Sequence, residues 1–335
     1  MSERAASARG PVMLGVEGLA PTAADRARLA DPRVGGVILF TRNFESSNQL
    51  RALTASIRKL RPELVIGVDH EGGRVQRFRG DRFSELPAMR SLGEQWDADP
   101  QAAGQAAFRH GATIARELAL HGIDFSFTPV LDLDYGKSAV IGNRAFHADP
   151  VIVADLAGAL LRGLNSRGVA GVGKHFPGHG WVTADSHVDT PVDPRALDTL
   201  LTSDILPFAA LIAQGLEAIM PAHVVYPAVD SRPAGFSPVW IAEILRGRLG
   251  FDGLVFSDDL EMAGAHSAGD IVARAEAAIA AGCDAVLICN GFDAMDDLLA
   301  RWTPPAQPSL ARRWARMARR PTSALGRIAA GRRLR

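Results

Sequence analysis

Short apolar runs alternate with longer amphipathic segments along almost the whole chain. The runs Val12–Val16, Val37–Phe40, Leu64–Val68, Phe125–Leu131, Val169–Val172, Ala218–Met220, Leu254–Phe256 and Ala285–Ile288 have the length and character of buried strands. Helical spacing of apolar residues predicts helices over Ala23–Ala30, Asn48–Leu60, Gln101–His121, Val151–Arg167, Arg195–Gln214, Pro238–Leu249, Ile271–Ala281 and Ala294–Arg301. Strands separated by helices pair in parallel through right-handed crossovers. Eight such units in this length match a (β/α)8 TIM barrel. A doubly wound open sheet is the competing arrangement. It usually carries a glycine-rich phosphate turn after the first strand, and Gly15-Val16-Glu17-Gly18 is a poor version of one. No Pro/Gly/Ser linker divides the chain, so residues 1–335 read as one domain. The region from about 303 onward, opened by Pro304-Pro305, reads as a basic helical extension at the C-terminus.

A barrel collects its chemistry at the carboxyl ends of its strands. The third predicted strand runs into Asp69-His70-Glu71-Gly72-Gly73-Arg74 and the fourth into Asp132 and Asp134. The fifth ends in Lys174-His175, the sixth in Pro221-Ala222-His223, the seventh in Ser257-Asp258-Asp259 and the eighth in Asn290-Gly291. Polar groups thus follow apolar strands at six exits, and a barrel would bring them to one mouth. The densest of these stretches is Lys174-His175-Phe176-Pro177-Gly178-His179-Gly180, followed by Asp185-Ser186-His187. Its glycines and proline place these groups on a loop. Asp185 and His187 are two positions apart, so in extended chain both side chains fall on one side, where the carboxylate can orient the imidazole and raise its basicity.

Charge changes this picture little. Lys plus Arg and Asp plus Glu are 37 each, which argues for neither a nucleic-acid nor a membrane partner. The balance conceals ten arginines and no acid from Arg301 to Arg335, read as a solvated amphipathic helix with a frayed basic end. Cys283 and Cys289 are too few for a disulfide framework and lack metal-ligand spacing. The short apolar run Pro11–Val16 is interrupted by Glu17 and makes no signal-peptide core. No stretch is apolar for long enough to span a membrane, so a cytoplasmic location is expected.

Asp258 at a strand tip suits a nucleophile or a stabiliser of a developing cation, with Arg144 and Lys174 available to keep it ionised. The competing use of Asp258 and Asp259 is helix capping, which fits Asp259 better. Asp69, Arg77 and Arg144 suit the hydroxyl groups of a sugar, or else a structural ion pair at the mouth. Gly72-Gly73 predicts a tight turn, and His70 and Glu71 can be buried supports outside the site. Asp185 and His187 suit a general acid–base dyad. His179 reads as a loop-stabilising group and His175 as a ligand beside Lys174. His223 is either a ligand or a support behind the site. Metal-dependent barrel hydrolases also gather His and Asp, but a His-x-His pair on the first strand and an HExxH pattern are both missing. No metal or organic cofactor is expected. A non-catalytic sugar-binding barrel is the third alternative.

Taken together the residues resemble glycoside hydrolase family 3, and within it the bacterial β-N-acetylglucosaminidases that recycle cell-wall fragments. The resemblance rests on Gly36-Val37-Ile38-Leu39-Phe40-Thr41-Arg42-Asn43, on Val68–Phe78, on Ile141-Gly142-Asn143-Arg144 and on Lys174–Gly180 with Asp185-Ser186-His187. It continues through Ile219–Val224 and Phe256-Ser257-Asp258-Asp259-Leu260. It implies a retaining glycosidase with Asp258 as nucleophile, His187 as proton donor and acceptor, and Asp185 as its partner. It places Asp69, Arg77, Arg144, Lys174 and His175 on a terminal N-acetylglucosamine. The implied substrate is a GlcNAc-containing muropeptide, and a monomer is expected.

Overall fold

The computed structural model describes residues 9–183 and 190–320. Eight parallel strands close into a barrel in which each strand pairs with its sequence neighbours and the last with the first. The strands are β1 (Val12–Gly15), β2 (Val34–Leu39), β3 (Val65–Val68), β4 (Phe125–Ser126), β5 (Ala170–Phe176), β6 (Ala218–Pro221), β7 (Leu254–Asp259) and β8 (Ala285–Ile288). The architecture is therefore the expected (β/α)8 barrel.

The strands read as unbroken apolar runs because both of their faces are buried. Alternate residues serve two cores. Met13, Ile38, Val65, Phe125, Val172 and Phe256 fill the interior, whereas Val12, Leu14, Val37, Leu39 and Val255 pack outward on the helices. Phe125, Phe127 and Phe256 meet inside, with ring centroids 5.0–5.7 Å apart. The interior is a packed floor rather than a pore, and it leaves room only above it.

Several elements differ from the sequence expectation. The regular part of the fourth strand is only Phe125–Ser126. Beyond it, across a cis peptide at Thr128-Pro129, the chain still bonds to β5, with Val172 and Lys174 N–H donating to the Thr128 and Pro129 carbonyls and Leu131 N–H to the Lys174 carbonyl. The stretch 195–214 makes two helices, Leu197–Thr202 and Leu206–Ala213. Pro207, which lacks an N–H to bond backwards, sits in the first turn of the second. The segment Val239–Arg248 winds as a π-helix. A helix over Met89–Ala98 was not anticipated.

The C-terminal helix Leu310–Met317 departs most from expectation. It is not solvated: Leu310, Trp314 and Met317 are buried in the barrel's own interior cluster. Trp314 packs 5.6 Å from Phe256, ring to ring, and its indole N–H donates to the Gly10 carbonyl at 3.1 Å. Any side chain at Gly35 would collide with that indole. Arginines on the other face, and Arg320 beyond the helix, meet acids at the amino ends of the strands: Arg312 and Arg313 pair with Asp252, Arg313 with Asp284, and Arg320 with Glu217. An amphipathic pattern looks the same in sequence whether its apolar face covers a barrel base or is left frayed.

Candidate active site

The carboxyl ends of the strands surround a cavity of about 480 Å³, a size suited to a small ligand. Ile38, Phe127, Met220 and Leu287 contribute apolar lining. Asp69, Arg77, Arg144, Lys174, His175, His179, Asp258 and Asp259 bring polar groups to the same space. Residues as far apart in sequence as Ile38 and Leu287, 249 positions, are thus neighbours only because the barrel closes.

Lys174 leaves the end of β5 almost fully buried, and its ammonium lies 2.7 Å from both Asp69 and Glu71. Arg144, on a short turn at Gly142–Arg144, donates to both oxygens of Glu71 at 3.0 and 2.8 Å. Arg77 reaches Asp69 at 3.3 Å. The turn that returns the chain from Asp69 to Arg77 uses Gly72 and Gly73 at φ +125° and +55°, backbone that side chains disfavour. Burial opposes the charge on Asp69 and on Glu71. Even so, Lys174 and Arg77 hold the Asp69 carboxyl well below the ordinary range, and Arg144 with Lys174 does the same for Glu71. Arg144 is itself raised by Glu71 against the cost of burial. These cations and Asp69 hold one another in place, and donors and acceptors of this kind can bind hydroxyl groups.

Glu71 therefore belongs to the site's framework, although sequence reasoning set it aside. It does not line the cavity, but it orients two groups that do. Asp132 is a second omission. Fully buried, it accepts from His175 Nδ1 at 2.7 Å and from the backbone N–H groups of His175 and His179 at 3.2 and 2.7 Å. Burial works against its charge, yet His175 and these donors keep its carboxyl below the usual range. The only sequence signal for either residue was a carboxylate placed just past an apolar strand.

Asp258 stands at the tip of β7, where one carboxylate oxygen accepts the Asp259 N–H at 2.8 Å. Lys174 pairs with Asp69 and Glu71, and Arg144 with Glu71, rather than with Asp258 as expected. Nor does Asp259 cap a helix: its carboxylate accepts the N–H groups of Glu261 (3.2 Å) and of Cys289 at the end of β8 (3.3 Å). Burial pushes it up to about 7. His223 does not line the cavity. It is fully buried, burial lowers its affinity for a proton, and its Nε2 donates to the Asp259 carbonyl at 3.2 Å. His179 lines the cavity as well as bracing the loop through Asp132. Asp185 and His187 lie outside the described residues. Among the described residues, no group of three or more His, Cys, Asp or Glu is disposed to hold a metal ion.

The arrangement offers a hydroxyl-binding cradle on one side and, on the other, a strand-tip carboxylate, an arrangement suited to glycosyl transfer to an enzyme carboxylate. Comparison with known proteins points the same way. Residues 10–301 match the glycosyl hydrolase family 3 N-terminal domain. A β-hexosaminidase of Bordetella avium is 62% identical over 300 residues, covering 89% of this chain and 86% of that protein. One of Chromobacterium violaceum is 60% identical over 311 residues, covering 92% and 87%. The crystal structure of native NagZ from Neisseria gonorrhoeae superposes with a TM-score of 0.90 at 50% identity, covering 96% of this chain and 93% of that one. The same protein in complex with N-trifluoroacetyl-D-glucosamine matches at 51% identity, with TM-score 0.90 and equal coverage. With the barrel, the cradle and the strand-tip aspartate all in place, the chain belongs to glycosyl hydrolase family 3.

Proposed function

We propose that this enzyme is a retaining exo-β-N-acetylglucosaminidase that removes terminal non-reducing GlcNAc from muropeptide fragments of the GlcNAc-1,6-anhydroMurNAc type, as a step of peptidoglycan recycling in the cytoplasm. The observation that carries the reading is that Asp258 lines the same cavity as Asp69, Arg77, Arg144, Lys174 and His175. The β-hexosaminidase relatives and the NagZ complex with an N-acylglucosamine analogue support the choice of sugar.

In this mechanism Asp69, Arg77, Arg144, Lys174 and His175 hold the sugar hydroxyls and the acetamido group. Asp258 attacks the anomeric carbon while His187, protonated, gives its proton to the departing glycosidic oxygen. The bond from the sugar to that oxygen breaks as the ester to Asp258 forms. Neutral His187 then takes a proton from water, which attacks the same carbon and frees Asp258. Asp185 orients the imidazole and stabilises its charged form. The acetamido group is a bystander, unlike in substrate-assisted glycosidases.

Hydrolysis of an aryl β-N-acetylglucosaminide tests the reading. Asp258→Ala should lower kcat/KM on the order of 10⁴-fold, and NMR of the wild-type reaction should show the β-anomer formed first. Full activity in Asp258→Ala, or first appearance of the α-anomer, would overturn it. His187→Ala should lose most on a poor leaving group and little on an activated one.

A further inference from the structure

The stretches on either side of residues 184–189 are each fastened to the barrel wall, by the Tyr226 hydroxyl on the Gly178 carbonyl and by backbone pairing of Pro191–Asp193 with Val225. One side chain joins them to each other and to that wall. On the earlier side, Gly178 has φ +143° and lies so close to Asp204 that a Cβ there would sit 2.7 Å from the Asp204 Cβ. Three residues on, the Trp181 ring stacks edge-on against Tyr135 at 5.1 Å. That ring also carries two cations, Lys137 at 3.4 Å and Arg195 at 4.6 Å from its centroid. On the later side, Asp193 is fully buried, and its carboxylate takes Arg195 Nε and Nη2 at 3.0 and 2.6 Å. The remaining arm of the same guanidinium donates to Asp204 at 2.8 Å and to the Tyr135 hydroxyl at 2.9 Å.

Arg195 therefore touches the earlier stretch through Trp181, the later one through Asp193 and the fixed wall through Asp204 and Tyr135. None of these groups lines the ligand cavity, so the network has no direct part in holding the sugar. A planar fork with five donors suits such a junction, and lysine, a point charge, would satisfy only part of it. Asp204 also keeps one buried carboxylate oxygen without a hydrogen-bond partner, so its charge rests on Arg195, Tyr135 and Ser203. Burial, followed by Asp204, keeps the Tyr135 phenol protonated as a donor.

We infer that Arg195 is a positioning residue for the proton donor: by clamping Trp181, Asp193 and Asp204 together it sets the ends of the segment on which His187 is carried. This rests on the reading of His187 as the acid and deepens it. It predicts an effect on proton donation and little on sugar binding or nucleophilic attack.

The experiment compares kcat/KM for two aryl β-N-acetylglucosaminides, one with a 2,4-dinitrophenyl and one with an unsubstituted phenyl leaving group. It uses wild type, Arg195→Met, Arg195→Lys, Trp181→Leu and His187→Ala. Arg195→Met should lose about tenfold or more on the phenyl glycoside, as expected for weakened general acid catalysis, and less than about threefold on the activated one. Trp181→Leu should show the same pattern more weakly and Arg195→Lys should recover part of the loss. Equal losses on both substrates, or none on either, in both Arg195→Met and Trp181→Leu would overturn the inference. Trp181→Leu keeps the test decisive should Arg195→Met fail to fold with its buried carboxylates unpaired. If His187→Ala itself shows no leaving-group dependence, the reading of His187 fails first. If it does and the Arg195 and Trp181 variants do not, only the present inference fails.

Discussion

At the carboxyl ends of the strands the Lys174 side chain, 3% exposed, sits between Asp69 and Glu71, while at the amino ends Arg312, 53% exposed, faces Asp252 at 58%. Both are short acid–base contacts, at 2.7 and 2.6 Å, yet they are physically unlike. Buried charges are costly to desolvate and must be matched by fixed partners, so removing one strands another. Exposed pairs exchange solvent for each other at nearly equal free energy. The top of this barrel spends its burial on ionised groups around a cavity. The base buries an indole, holds Asp284 and Glu217 under arginines, and leaves Arg312 and Asp252 near water.

That contrast can be broken at either end. The largest stability effect is expected at the top. Glu71→Ala leaves Arg144 and Lys174 short of a partner, and denaturant unfolding should show a loss of about 3–5 kcal/mol. A rise in KM for an aryl N-acetylglucosaminide should accompany it, because both cations line the cavity. At the base, Trp314→Ala should cost a comparable or slightly smaller amount, about 3–5 kcal/mol for an aromatic-to-alanine cavity. Its kcat/KM well below the melting temperature should stay within about twofold of wild type. A kcat/KM loss as large as that of Glu71→Ala would show the two ends are coupled.

A third effect belongs to the top alone. His70 is fully buried between Phe78 and Phe83, and burial brings it down to about 3 from an ordinary 6.5. Between these values the unfolded chain binds a proton that the folded one refuses. Its contribution is therefore present above pH 6.5 and is lost progressively as pH falls toward 3. His110, lowered by burial in the same way, adds to the slope. Melting temperature measured from pH 7.5 to 4.5 should fall less steeply in His70→Leu than in wild type. Smallest of all, Arg312→Ala should change stability by less than about 1 kcal/mol, and even that should shrink with added salt.

Much of this was legible from the chain. The eight apolar runs named the eight strands, and the polar residues at their exits named a common mouth; Asp69, Arg77, Arg144, Lys174, His175 and Asp258 do line one cavity. Glu71 and Asp132 were harder to read because their role is to hold other site residues, and a sequence does not state which cation a carboxylate will meet. The C-terminal helix was misread for a related reason: Leu310, Trp314 and Met317 define an apolar face, but only the open base of the barrel defines what that face covers.

Local periodicity and residue chemistry act within a few turns of chain, and so determine strands, helices and the kinds of group available at each strand exit. Pairings such as Lys174 with Glu71, Arg195 with Tyr135, or Trp314 with Phe256, join residues from different parts of the barrel. Their geometry, and with it the ionisation of the buried groups, exists only once closure of the barrel excludes water and brings those parts together.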